Sequence, residues 1–157
     1  MSNCPPSRIE TSPFLQLNSD LFLAAVSLLR KAQGVLECQL RGGSMERAIP
    51  AGSRIRIRFI GPESYRTGQV IAFLVGSGMC VHRIVYCGRW RRAKNYLLTQ
   101  GDRCLLPDAP VKVESVLGPV TEFEHEGRWE PPGVTQRRHP VTRLLAFVVL
   151  TTLAGVL

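Results

Sequence analysis

The first regular pattern along the chain is helical. Within NSDLFLAAVSLLRKAQG, apolar residues recur at positions 21, 22, 25, 28, 29 and 32, the spacing of an amphipathic helix. Asn18 or Ser19 is a suitable N-cap and Gly34 a suitable stop. We therefore predict an irregular arm over residues 1–17 and a helix over 18–34 with one buried face. Its continuous apolar run is about nine residues, against roughly 20 for a bilayer span.

From residue 35 to 123 the pattern changes to short strands separated by glycine and proline. SRIRIRFI alternates arginine with isoleucine or phenylalanine, the period of a strand with one wet face. QVIAFLV is continuously apolar and predicts a buried strand. MCVHRIVYC and NYLLTQ predict a hairpin through GRWRRAK, and VLECQL and VKVESVLGPV predict two further strands. We expect a mainly β domain with a small closed or nearly closed sheet.

Two segments follow the predicted β domain. Residues 124–140 contain many helix and strand breakers and are interpreted as a linker. Residues 141–157 form a hydrophobic C-terminal segment, apolar from Leu144 onward and short for a full span. Two interpretations stay open: an apolar helix packed on the domain, and membrane association, which we favour because such a run is rarely left exposed. The expected localisation is membrane-associated through this segment, or cytoplasmic, and the side of the membrane stays open.

Charge narrows the classes of partner only partly. The 157 residues carry a formal net charge of +8, which suits nucleic acid, anionic lipid or acidic peptide. The absence of a groove-reading helix or a stacking platform from the pattern disfavours nucleic acid. The basic stretch RWRRAK, residues 89–94, is interpreted as a solvated hairpin tip, with an anionic membrane surface or an acidic peptide as alternative partners.

The cysteines argue against a disulfide framework. Their number is odd and their spacing irregular, which favours a reducing compartment; they are Cys4, Cys38, Cys80, Cys87 and Cys104. Cys80, His82, Cys87 and Cys104 are of the types that bind zinc, but no paired CxxC accompanies them. A zinc-bound structural domain therefore ranks third among our hypotheses, after an enzyme and a binding module. We predict no metal and no cofactor.

Candidate chemistry begins at the stretch RGGSMERAIPAG. Gly42 and Gly43 allow a sharp turn that exposes Ser44 and brings a substrate carbonyl close to main-chain N–H groups. A serine hydroxyl is a poor nucleophile until a neighbouring base accepts its proton. A glycine–serine pair is on its own more often just a turn, so the remaining groups decide the interpretation.

A base and an acid are present further along the chain. His82 lies in the predicted strand VHRIV, where it is either a core histidine or a general base suited to neutral pH. Asp102 and Asp108 follow the second hairpin arm, either as turn formers or as the group that orients the imidazole. Ser44, His82 and one aspartate together have the composition of a Ser-His-Asp site.

The order and spacing of these stretches resemble the signal peptidase I family, in its endoplasmic-reticulum and archaeal branch. Ser44, Met45 and Glu46 match its first motif, VHRIV its second and LTQGD its third, with Asp108 at its second acid. The resemblance covers roughly residues 35–120. A shared serine–methionine motif also links the chain to the wider clan that contains the SOS-repressor self-cleavage peptidases. Both the bacterial branch and those repressors use lysine where this chain has His82.

The resemblance implies a serine endopeptidase that cleaves a precursor or leader peptide. Ser44 is then the nucleophile and His82 the base, with Asp108 as its direct partner and Asp102 in support. Gly42, Gly43 and Met45 form the oxyanion turn. It also implies a signal-peptidase-like fold and a substrate with small side chains near the cut. Departures from the family pattern (Gly42 for serine, Arg47 for proline, Ser53 for an acid) leave open an inactive module of the same fold that binds a peptide or partner.

Overall fold

The computed structural model describes residues 19–76, 78–87 and 96–133, with side chains from residue 24 onward. Four regions singled out from the sequence lie outside these ranges. They are the arm over 1–17, the basic stretch 89–94, the later part of the linker and the hydrophobic segment 141–157 with its apolar helix. Within the described part of the chain, no helix has the length and apolar character that a membrane span requires.

The predicted N-terminal helix is present and shorter than expected. Helix α1 spans Ser19–Lys31, and the left-handed residue after it is Gln33, with φ of 48°, rather than Gly34. The predicted buried face is partly wrong, because Val26 is buried and Leu29 packs beside it while Leu28 is 67% exposed. A side chain that docks α1 is Arg30, whose guanidinium donates to the carbonyl of Glu114 at 2.9 Å.

The domain is mainly β, as predicted. Its strands are β1 Val35–Gln39, β2 Arg54–Arg58, β3 Val70–Val75, β4 Gly78–Cys87, β5 Tyr96–Gln100, β6 Val111–Lys112, β7 Val116–His125 and β8 Arg128–Glu130. The first five match the predicted strands, and β4 and β5 pair as the predicted hairpin. The single strand predicted over 111–120 is wrong, since a 3₁₀ turn at Val113–Ser115 separates β6 from β7.

All strand pairs described are antiparallel, and they form one sheet in the order β1-β2-β7-β3-β4-β5-β6. Strand β7 is the central element, because its first half pairs with β3 and its second half with both β2 and β8. Strand β1 stands at one end of the order and leads directly into the Ser44 turn.

Strand β8 corrects the predicted linker. It pairs with the end of β7 through a two-residue turn in which Glu126 and Gly127 have φ of 50° and 76°. Two successive positive φ values are typical of the type I′ turn, which matches the right-handed twist of a hairpin. The predicted linker from 124 therefore begins too early, because its first residues complete β7 and form β8.

The apolar residues form two clusters on opposite faces of β3 and β4. Val70 and Ala72 of β3 face one cluster with Phe59, whereas Ile71 and Phe73 face the other. Burial on both faces explains why QVIAFLV reads as an unbroken apolar run. Met45 anchors the turn that carries Ser44 in the first cluster, and His82 lies beside Phe73 of the second.

The alternation of SRIRIRFI has the predicted consequence. Ile55 and Ile57 are buried, while Arg54 and Arg56 point to the wet face. There Arg56 donates to Glu37 of β1 at 2.8 Å, and its guanidinium carbon lies 3.7 Å from the ring centre of Trp129 in β8. This hydrogen bond is the main cause that lowers the pKa of Glu37.

Candidate active site

The Ser44 turn connects the end of β1 to the start of β2. Gly42 has φ of 89°, a left-handed conformation that glycine adopts without steric strain. The chain then coils tightly, with the N–H groups of Ala48 and Ile49 both donating to the carbonyl of Met45 at 2.8 Å. These bonds turn the main chain back under Ser44.

One expectation about this turn is corrected. Ser44 is 1% exposed, so its hydroxyl is buried rather than presented on an open turn. Met45 is fully buried in the first apolar cluster, so its side chain anchors the turn. Gly43 has its own constraint, because a Cβ there would stand 3.3 Å from Glu46 Oε2. The turn is therefore held by packing on one side and by polar groups on the other.

His82 faces Ser44 across the fold. Its Nε2 lies 3.0 Å from Ser44 Oγ, within hydrogen-bond distance, and its side chain is 1% exposed. It shares the face of β4 with Cys80 and Ile84, and Phe73 packs edge-on to its ring at 6.3 Å. The position in an alternating strand therefore gives a buried imidazole, and that imidazole has a specific polar neighbour at each nitrogen.

Asp108 is that neighbour on the other side of the ring. Its Oδ2 lies 2.6 Å from His82 Nδ1. An ionised carboxylate only accepts hydrogen bonds, so Nδ1 carries the ring proton. Nε2 of the neutral imidazole is then an acceptor, and Ser44 Oγ donates to it. The three side chains form one chain of hydrogen bonds in the order serine, histidine, aspartate.

Thr99 of β5 is a site residue that the sequence analysis missed. Its hydroxyl donates to Asp108 Oδ2 at 2.6 Å, the same oxygen that faces His82. Its carbonyl accepts from the N–H of Asp108 at 2.8 Å, and the residue is fully buried. The signal was available in LTQGD, where a buried threonine is adjacent to a polar turn, but a threonine in a strand is commonly interpreted as a packing residue.

The two candidate aspartates have separate partners. The Asp102 carboxylate accepts two hydrogen bonds of 2.8 Å, one from Nε and one from Nη2 of Arg83. Arg83 also donates to the carbonyls of Gly68 and Gly133 at 2.7 and 2.9 Å. The Asp102 side chain is only 4% exposed. Arg83, the residue after His82, thus joins Asp102 to the segments at Gly68 and Gly133. The carboxylate hydrogen-bonded to the His82 imidazole is that of Asp108.

The turn over residues 101–104 lies against Ser44 and His82. A Cβ at Gly101 would stand 2.9 Å from Ser44 Cβ, 3.0 Å from His82 Nε2 and 2.8 Å from Cys104 Sγ. The N–H of Arg103 donates to the carbonyl of Ser44 at 2.9 Å, and its guanidinium is paired with Glu46. We call residues 101–104 the covering turn, because they pack against Ser44 and the His82 ring.

Two buried thiols, one beside His82 and one in β1, have raised pKa values. Desolvation raises the pKa of Cys80, on the His82 face, to about 12, and that of Cys38 in β1 to about 12 as well. None of the cysteines in the described ranges forms a disulfide. Among the described residues, no group of three histidine, cysteine or acidic side chains is arranged to hold a metal ion. This applies also to the zinc-ligand candidates Cys80, His82, Cys87 and Cys104.

Comparison of the chain with protein-family models, with curated proteins and with solved structures gives no match.

Proposed function

We propose that this chain is a serine endopeptidase of the signal-peptidase type, acting on a precursor or leader peptide. The observation that carries the proposal is the continuous set of hydrogen bonds from Ser44 Oγ to His82 Nε2 at 3.0 Å and from His82 Nδ1 to Asp108 at 2.6 Å. A nucleophile, a base and an orienting acid within hydrogen-bond distance is the geometric pattern of acyl transfer by serine. The resemblance in sequence supports the same assignment.

The proposed chemistry uses only side chains and main-chain groups. His82 Nε2 takes the hydroxyl proton as Ser44 Oγ bonds to the peptide carbonyl carbon. His82 then donates that proton to the leaving amine, and Ser44 is left acylated. Water loses a proton to His82 as it attacks the acyl carbon. His82 returns that proton to Ser44 Oγ as the ester bond breaks and the new carboxyl end leaves. Asp108 holds the ring proton on Nδ1 and stabilises the imidazolium in each step. The Ser44 N–H, with another main-chain group, serves the oxyanion.

A substrate-binding edge is available beside this turn. The N–H of Leu40 donates to the carbonyl of Ser53 at 2.8 Å, and the carbonyl of Gly34 accepts from the N–H of Phe59. The main-chain N–H and C=O groups of the even-numbered residues along β1 therefore point toward β2. The backbone groups of Val35, Glu37 and Gln39 therefore point away from β2. No strand of the described ranges pairs with that side of β1. An extended peptide added along this edge would run toward Ser44.

A second candidate is favoured by one observation. Ser44 is 1% exposed beneath the covering turn, so a substrate reaches the hydroxyl only if neighbouring residues move. An inactive module that binds a peptide or partner along β1 would have no need for an accessible hydroxyl. Both candidates share the fold and the free edge, and they differ in whether Ser44 becomes acylated.

Digestion of a peptide library separates the two. The purified chain is incubated with a proteome-derived peptide mixture, and new termini are identified by mass spectrometry. The peptidase proposal expects termini that are lost in both Ser44→Ala and His82→Gln, with Ser115→Ala as a matched control that retains them. If the chain binds peptides but produces no Ser44-dependent terminus, the binding module is the correct function.

A further inference from the structure

The hydroxyl of Thr99 is a buried polar group that the peptidase chemistry above does not use. It donates to Asp108 Oδ2 at 2.6 Å, and His82 Nδ1 lies 2.6 Å from the same oxygen. Two donors therefore meet at one carboxylate oxygen. Thr99 is fully buried and the His82 side chain is 1% exposed, whereas the Asp108 side chain is 27% exposed.

The unequal burial identifies what needs to be held in place. His82 is fixed by β4 and Thr99 by β5, but Asp108 lies in the segment between β5 and β6 with part of its side chain in solvent. A carboxylate in that position can rotate about its side-chain bonds and exchange its partner for water. The Thr99 hydroxyl restricts that rotation, because it keeps Oδ2 directed toward the interior.

Thr99 also holds the backbone of Asp108. The N–H of Asp108 donates to the Thr99 carbonyl at 2.8 Å. Thr99 is itself paired in register with Ile84, two residues after His82 in β4. The β4–β5 ladder thus connects base and acid through one residue, and the distance between His82 and Asp108 depends on the side chain and the main chain of Thr99.

We propose that Thr99 is a positioning residue for the site. It orients Asp108 so that Oδ2 accepts the hydrogen bond from the N–H at His82 Nδ1. The inference deepens the proposed peptidase function, but it also makes a claim about the imidazole that does not require catalysis. Removal of the hydroxyl leaves the shape of the side chain nearly unchanged in Thr99→Val. Thr99→Ser keeps the hydroxyl and removes only a methyl group, so the pair separates hydrogen bonding from packing.

The test is proton NMR of the full chain labelled with ¹⁵N-histidine. A ring N–H in a short bond to a carboxylate gives a resonance far downfield, which is assigned to His82 by its loss in His82→Gln and by its displacement in Asp108→Ala. We expect Thr99→Val to move this resonance upfield and to speed its exchange with water, and Thr99→Ser to restore both. Circular dichroism and thermal unfolding of each variant confirm that it is folded.

Activity provides the second readout. If peptide cleavage is found, we expect kcat of Thr99→Val to fall about tenfold with KM little changed, and Thr99→Ser to remain within about twofold of the wild type. A His82 resonance unchanged in Thr99→Val overturns the inference, as does an equal displacement in both variants, which would make packing the cause. Displacement in Thr99→Val alone, in a chain that cleaves no peptide, supports the inference and rejects the peptidase function.

Discussion

Gly101 lies directly against Ser44. The nearest atoms to a Cβ at position 101 would be Cys104 Sγ, Ser44 Cβ and His82 Nε2, at 2.8, 2.9 and 3.0 Å. Separations of this size are shorter than van der Waals contact, so any side chain at 101 displaces the serine, the imidazole or the covering turn. A glycine is required here because two catalytic candidates and a thiol meet at its α-carbon.

We therefore expect Gly101→Ala to separate Ser44 from His82 and to reduce peptide cleavage at least about a hundredfold, since a displacement of about 1 Å in a catalytic group has that effect. Gly78→Ala is the matched control, because its Cβ would meet only the carbonyl of Val75 at 3.7 Å. Cleavage rates and thermal unfolding are measured for both. Full activity in Gly101→Ala would show that the observed approach is not needed for function.

The two aspartates give contrasting expectations. Asp108→Ala removes the acceptor of the His82 ring proton, so cleavage should fall by about 10⁴-fold. The buried donors left at His82 and Thr99 should lower the unfolding free energy by about 1–3 kcal/mol. Asp102→Ala leaves the guanidinium of Arg83 buried without its carboxylate. Breaking a buried pair in this way destabilises a protein by about 3–5 kcal/mol. Urea unfolding and cleavage rates measured on the same samples distinguish the roles, and equal loss of stability in both variants would contradict them.

Three short sequence motifs were sufficient to predict which candidate side chains lie together. The structure brings Ser44, His82 and Asp108 within hydrogen-bond distance, while their catalytic roles stay a proposal. Thr99 and Arg83 were not predicted as partners of the two acids. Their roles arise from the register of β4 against β5, and a one-sequence pattern does not specify register across a long connection.

The errors in the fold have similar physical causes. Strand β8 was missed because the prolines after Glu130 favoured a linker, whereas the left-handed turn at Glu126 and Gly127 closes a hairpin first. The burial of Leu28 was predicted from helical spacing alone. A helix that rests on a sheet buries only the residues the sheet can reach, and Val26 and Leu29 occupy that side.

Thiol reactivity should follow burial in the folded protein. Because the pKa of Cys38 and Cys80 is raised to about 12, both are almost entirely protonated at pH 8, and the protonated thiol is not the nucleophile. We expect a short iodoacetamide pulse at pH 8 to modify the partly exposed Cys87 and Cys104 before Cys38 and Cys80, as measured by peptide mass spectrometry. Rapid modification of Cys80 in the folded chain would contradict its described burial.

The same burial makes stability depend on alkaline pH. An unfolded thiol loses its proton near its ordinary pKa of 9.0, whereas the folded Cys38 and Cys80 retain theirs to about 12. The unfolded state therefore binds fewer protons between these values, and the free energy of unfolding falls as pH rises from about 9 to 12. We expect Cys38→Ala and Cys80→Ala each to reduce this slope in urea titrations, and a slope unchanged in both variants would contradict the argument.

The pair between Arg103 and Glu46 should control access to Ser44. It joins the covering turn to the Ser44 turn, and both side chains are about half exposed, at 54% and 44%. Exposed pairs contribute about 0.2–1 kcal/mol, and salt screens them. If the turn has to open for acylation, Glu46→Gln should raise the cleavage rate by up to about fivefold at low salt, with little change in thermal unfolding.

Added salt should raise the wild-type rate toward that of the variant, whereas Glu63→Gln, outside the covering turn, should behave as the wild type. A cleavage rate lower in Glu46→Gln than in the wild type would show that the pair supports the active arrangement rather than restraining it. An equal salt dependence in Glu46→Gln and the wild type would contradict the prediction in the same way.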